Sequence, residues 1–177
     1  MSILLVGLDD AVAEVLVRRL VLQGDEVRIL LGDPGGQERW KTAGAYVAIG
    51  AMDDDDFVER AAQHARTCVV GPHWSPATAE TIVALVAGTS KAGVDRFVLV
   101  GPKVDAMFKE EVQLSGMSYV FLRVGRWGFL RKSNTVSPSA IAEAIDAADD
   151  LAGEVTLDLD LTMPEDWKQL RLEPRLS

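Results

Sequence analysis

Apolar residues along this chain come in short unbroken runs separated by longer stretches with a helical spacing. Ile3-Leu4-Leu5-Val6 opens the pattern as a buried strand over residues 3–8. Val12, Val15, Leu16, Leu20 and Val21 then recur at helical spacing over 10–23, and Gly24 follows as a C-terminal cap. The same alternation predicts strands at 26–31, 46–49, 67–70, 96–100, 119–124 and 155–159. Between them it predicts helices at 37–43, from Phe57 onward, at 77–92, at 104–114, and from Pro138 to about Asp150 with Ser137 as N-cap. The stretch from Pro164 onward reads as irregular.

Strand and helix alternating at short spacing is the signature of an α/β fold with a doubly wound, mostly parallel, Rossmann-like sheet. The expectation is a single domain over 1–163 followed by a tail, 164–177. Right-handed crossovers then gather the loops at 7–10, 32–36, 50–53, 71–76, 101–103 and 125–134 on one rim, where such folds bind ligands.

Charge and composition narrow the partners. The 177 residues carry a net charge of -9, which argues against nucleic acid and anionic membranes. One cysteine, Cys68, allows no internal disulfide and no zinc cluster, and two histidines are too few for a histidine-rich metal site. No run reaches the roughly 18 apolar residues of a membrane helix. The Met1-Ser2-Ile3 start has no basic n-region. A cytoplasmic protein is expected, with a small molecule or a protein as partner.

The turn after the first strand is the first place to look for chemistry. Where a dinucleotide-binding turn carries three spaced glycines, this chain has Gly7, Asp10 and Ala13. A phosphate at a helix N-terminus needs bare N–H groups and a positive field. Asp9 and Asp10 bring two carboxylates there instead, and one of them is expected to cap the helix.

Several segments, taken in order, carry a family resemblance: Ile3–Gly7; Val15-Leu16-Val17-Arg18-Arg19-Leu20 with Gly24-Asp25-Glu26-Val27-Arg28; Asp33-Pro34; Gly93-Val94-Asp95-Arg96-Phe97-Val98; Leu114-Ser115-Gly116-Met117-Ser118-Tyr119 with Leu122-Arg123; and Ala152-Gly153-Glu154-Val155. In these the chain resembles the NmrA-like, atypical branch of the short-chain dehydrogenase/reductase family. The resemblance implies a Rossmann fold, an NAD(P) cofactor on the glycine turn, and a Tyr-x-x-x-Lys pair in catalytic members. It also implies self-association through helices on the sheet faces, here 77–92 and 104–114, so a homo-oligomer is on the list of expectations.

The family positions are altered in this chain. Gly32 and Asp33 stand where a basic residue usually meets the 2′-phosphate, and Ala51 stands where an aspartate usually meets adenine. Tyr46 is followed four residues on by Gly50 and Tyr119 by Arg123, so the catalytic pair is missing. These departures lead to the expectation of a non-catalytic regulatory or accessory protein that binds no cofactor. Its cleft positions are Gly7, Asp9, Asp10, Gly32, Asp33, Pro72 and His73. The alternative is an atypical NAD(P)-dependent oxidoreductase, or a cofactor-independent isomerase or cyclase, with His73 as its candidate catalytic group.

The remaining chemistry-bearing residues have plainer readings. Asp53-Asp54-Asp55-Asp56 is read as an N-cap with favourable helix-dipole charge rather than a metal site. Cys68 is read as a small core residue. Lys103, Arg123, Arg126, Arg131 and Lys132 are expected near the rim, solvated or paired with Asp9, Asp10 and Asp105. Trp74, Trp127 and Phe129 are candidates for an apolar pocket or an interface. Trp167, Leu170 and Leu172 allow the tail to dock on this domain or on a neighbouring chain.

Overall fold

The structure, a computed structural model, describes residues 2–73, 78–103, 105–125 and 136–172. Its strands are β1 (Ser2–Val6), β2 (Glu26–Leu31), β3 (Tyr46–Ile49), β4 (Thr67–Val70), β5 (Arg96–Gly101), β6 (Ser118–Arg123) and β7 (Thr156–Asp160). The helices are α1 (Asp10–Gln23), α2 (Gln37–Thr42), α3 (Asp55–Ala62), α4 (Ala79–Lys91), α5 (Ala106–Ser115), α6 (Pro138–Asp149) and α7 (Pro164–Gln169). One seven-stranded sheet forms in the order β3-β2-β1-β4-β5-β6-β7, with every pairing parallel. This is the α/β Rossmann-like architecture the alternation predicts.

The central strands are apolar on both faces because helices cover both. In β1, Ile3 and Leu5 join a core with α1 and α6, while Leu4 and Val6 join a second core with α3, α4 and α5. β7 is an edge strand and reads differently. Its Leu157 and Leu159 pack inward on the α1 and α6 side, whereas Asp158 pairs with Arg123 of β6 at 3.0 Å. Among the described residues no helix is long and apolar enough to cross a membrane.

Several boundaries differ from the expected ones for local reasons. β1 ends at Val6 because Gly7 turns the chain. α3 starts at Asp55 because Asp54 caps it, its Oδ1 accepting the Phe57 N–H at 3.1 Å. The clearest departure is the tail. Residues 164–169 form α7, and Trp167 is fully buried, its Nε1–H donating to the Leu161 carbonyl at 2.8 Å. Leu170 is buried in the same core. A helix of fewer than two turns is too short to show a period in sequence, so only packing reveals it.

Candidate functional site

The site begins where β1 meets α1. Gly7 adopts φ 58°, a left-handed conformation that a side chain would strain. Asp9 is the N-cap of α1, its Oδ1 accepting the Ala11 N–H at 2.9 Å. The loop after β4 closes on this same turn. The Gly71 N–H donates to the Val6 carbonyl at 2.9 Å, and the His73 N–H to the Gly7 carbonyl at 2.8 Å. A Cβ on Gly71 would stand 2.5 Å from both the Gly7 carbonyl oxygen and the Leu8 Cα. Glycine at 71 is therefore what lets the two loops touch.

Two cavities flank this junction, on the rim where strand order reverses between β1 and β4. On the β2 and β3 side an open cavity of about 700 Å³ is bordered by Gly7, Gly32, Asp33, Ala51, Asp53 and His73. On the β5 side a smaller one, about 220 Å³, is walled by Leu8, Val12, Pro72, Val100, Pro102 and Val124, with Asp9 and His73 as its polar groups. His73 and the β1–α1 turn border both. The result is a wider chamber of mixed polarity beside a narrower apolar one, at the position where open α/β sheets receive ligands. The cleft positions read from sequence thus come together, with one exception.

That exception is Asp10. Its side chain is largely exposed and its Oδ2 takes a 2.7 Å hydrogen bond from Arg39 of α2. Arg39 also reaches Glu14 at 2.9 Å and lies over the Trp40 ring at 4.6 Å. Hydrogen bonds to Glu14 and then Asp10 raise the Arg39 pKa above its ordinary value. Asp10 is thus held to α1 and α2 by Arg39, and it borders neither cavity. Asp33 is likewise occupied locally, its Oδ1 accepting the Gly35 N–H at 2.7 Å. His73 is exposed, with its Nε2 3.7 Å from Asp9 Oδ2.

The other residues resolve as follows. Cys68 is fully buried, and burial pushes its thiol pKa far up, as suits a core residue. Three carboxylates, those of Asp54, Asp55 and Asp56, lie within 4.8 Å of one another, but Lys91 sits among them, 2.6 Å from Asp55 and 3.3 Å from Asp56. The expected partners of the rim cations are different ones. Arg123 pairs with Asp158, Asp105 caps α5 through the Met107 and Phe108 N–H groups, and Lys103 borders a cavity beside Gly71 and Phe108. Trp74, Arg126, Trp127, Phe129, Arg131 and Lys132 lie outside the described residues. Sequence reasoning missed Arg39, Gly71 and the apolar walls Val12, Val100 and Val124. Arg39 sits in a short helix with no periodic signal, and the walls are ordinary core types.

No family model matches the chain, and no curated protein matches it. Solved structures do. The chain is similar to the anaerobillin reductase ChuY of Escherichia coli O157:H7, with a TM-score of 0.70 at 15% identity over 90% of this chain and 96% of that one. It is similar to Citrobacter sp. triphenylmethane reductase complexed with NADP(H), with a TM-score of 0.70 at 12% identity over 90% of this chain and 69% of that one. An NADPH-dependent quinone oxidoreductase of Escherichia coli gives a TM-score of 0.63 at 12% identity, over 98% of this chain and 76% of that one. These neighbours correct the expectation of a non-catalytic, cofactor-free protein. All three are oxidoreductases by name, two named with NADP(H) or NADPH, so the oxidoreductase alternative is the better supported reading. The chain has the fold of the NAD(P)-binding Rossmann-fold reductases, the fold implied by its resemblance to NmrA-like, atypical short-chain dehydrogenases/reductases.

Proposed function

We propose that this protein is an NAD(P)-dependent oxidoreductase that reduces a small apolar acceptor in the cytoplasm. The observation that carries the reading is the pair of cavities at the strand-order switch point, with His73 bordering both and Asp9 in the smaller, apolar one. Similarity to reductases supports it, and a buried free Cys68 suits a reducing compartment.

The residues present fit a dinucleotide. The left-handed Gly7 turn, with Gly71 packed against its backbone, is the tight turn that a pyrophosphate site needs. An adenosine half would lie in the larger chamber beside Gly32 and Ala51. Arg39 offsets the Asp10 charge at the second glycine position. Among the described residues, the Asp9 carboxylate stands on the helix N-terminus, and Asp33, Asp53 and Glu80 border the larger chamber, so the site as a whole is acidic.

The nicotinamide of the cofactor, when bound, supplies a hydride. This chain's residues supply the rest. Leu8, Val12, Val100 and Val124 exclude water from the acceptor. His73 would deliver the proton that completes reduction, with the Asp9 carboxylate 3.7 Å from its Nε2. Neither tyrosine is placed for that role. Tyr46 lies exposed on the edge strand β3, and the Tyr119 hydroxyl accepts a 2.8 Å bond from Gln113 Nε2 in the second core.

Calorimetric titration with NADPH and NADH, followed by NADPH oxidation against a panel of quinones and conjugated carbonyl compounds, tests this. Saturable binding and turnover that falls about a hundredfold in His73→Ala are expected. No binding of either dinucleotide at millimolar concentration overturns the reading.

A further inference from the structure

We propose that β3 is a pairing edge for a second copy of this chain, joined antiparallel about a twofold axis at Ala48, so that two seven-stranded sheets run into one. The inference stands apart from the dinucleotide reading.

β3 is the outermost strand, hydrogen-bonded to β2 on one side only. The Gly50 N–H donates to the Leu31 carbonyl at 3.1 Å, which fixes the direction of its neighbours. Backbone groups of alternate residues in a strand point the same way. Tyr46, Ala48 and Gly50 therefore face β2, while Val47 and Ile49 turn both N–H and C=O outward. Among the described residues no hydrogen bond reaches those outward groups.

Free donors and acceptors along an edge are a template for another strand, and proteins commonly guard such edges with charge. The opposite edge is guarded in that way, since β7 carries Asp158 and Asp160. β3 is not. Residues 43–52 carry no charge in a chain whose net charge is -9, so two copies can approach here without setting carboxylate against carboxylate. Tyr46 is 65% exposed and Ile49 37%, which leaves apolar surface to cover.

The spacing fits a copy of the same strand. With Ala48 opposite the partner's Ala48, Val47 lies opposite the partner's Ile49 and exchanges both backbone bonds with it. The symmetric pair does the same, and every outward group of both copies is satisfied. The axis pair is then of the non-hydrogen-bonded kind, in which side chains stand closest, and alanine is small enough for it. Tyr46 falls opposite the partner's Gly50. A Cβ on Gly50 would stand 2.7 Å from the Phe57 ring, so Phe57 lies over that glycine, and pairing carries the exposed Tyr46 ring toward the partner's Phe57. Gly50 also borders the larger cavity, which puts the second copy at the margin of the candidate site. Association through helices 77–92 and 104–114 would leave all these groups bare.

The test has two readings on the full chain. Sedimentation velocity from micromolar to submillimolar concentration gives the self-association of the wild type, Ile49→Pro and Tyr46→Asp. Proline removes an outward N–H and is tolerated on that side of an edge strand. Tyr46→Asp charges an exposed position and decides the matter should the proline variant unfold. Mild oxidation of Ala48→Cys reads the register. The Cα atoms of the axis pair stand about 4.5 Å apart, within disulfide reach, and the native Cys68 is fully buried. The expected result is a concentration-dependent dimer that weakens about tenfold or more in each variant keeping the wild-type unfolding temperature. Ala48→Cys should give a covalent dimer and Tyr46→Cys should not, because its two copies lie at opposite ends of the pairing. A wild type that stays monomeric throughout overturns the proposal. So does a dimer that a folded variant leaves at wild-type strength, or one that Ala48→Cys does not cross-link.

Discussion

The backbone N–H of His73 donates to the carbonyl oxygen of Gly7 at 2.8 Å, joining the loop after β4 to the turn after β1. The candidate site depends on this seam. It sets where the His73 imidazole stands relative to Asp9, and His73 borders the cavities on both sides of it.

The seam should not tolerate a side chain at residue 71. In Gly71→Ala the new Cβ would meet backbone atoms of Gly7 and Leu8 at 2.5 Å, and backbone cannot rotate away as a side chain can. The loops must separate, at a cost of about 1–3 kcal/mol. Urea denaturation measures the loss, and dinucleotide binding should weaken with it. An unchanged unfolding midpoint would show that the loops do not need this contact.

A second prediction concerns the opposite rim. Arg96, nearly fully buried at the start of β5, donates to the carbonyls of Ala148 and Asp149 at 2.8 and 2.9 Å, and of Leu151 and Gly153 at 2.8 and 2.9 Å. These are carbonyls at the end of α6 and in the loop beyond it, and the first of them have no partner within the helix. Asp149 beside it is held by Arg66 at 2.5 Å and by the Thr67 hydroxyl. Arg96→Met keeps the stem and removes the donors, and should cost about 2–4 kcal/mol in the same assay. Arg96→Lys should recover little, because an ammonium cannot span four acceptors.

The pH dependence of stability should carry a signature from Asp150. Burial, then the neighbouring Asp146 and Asp149 charges, raise its pKa above the ordinary carboxylate value, against the pull of Arg66 at 3.9 Å. A folded pKa above the unfolded one favours folding in acid, and that contribution is lost as pH rises through the folded pKa. Asp150→Asn should therefore raise the unfolding temperature at neutral pH, with the gain fading once pH falls below the carboxylate range. The gain should be small, since the side chain is 66% exposed. Thermal unfolding of both proteins across that range checks the sign, and a gain that grows in acid would contradict it.

Much of the architecture was legible because β1 and its neighbours bury both faces. Ile3-Leu4-Leu5-Val6 must be apolar throughout when one core takes Ile3 and Leu5 and the other takes Leu4 and Val6. α7 was not legible, since Trp167 is held by the Leu161 carbonyl and by packing rather than by any period of its own.

The site was legible in place but not in sign. Local patterning alone determined the strand–helix order, the parallel Rossmann-like sheet, the rim of loops and the Gly7 turn, because these follow from short-range periodicity and backbone sterics. Tertiary structure alone decided which charges face the crevice. Asp9 and Asp10 are adjacent and identical in sequence, yet a guanidinium 29 residues away binds one of them while the other caps the helix beside His73. Electrostatic partnership acts through space, and the spacing of residues along the chain does not contain it.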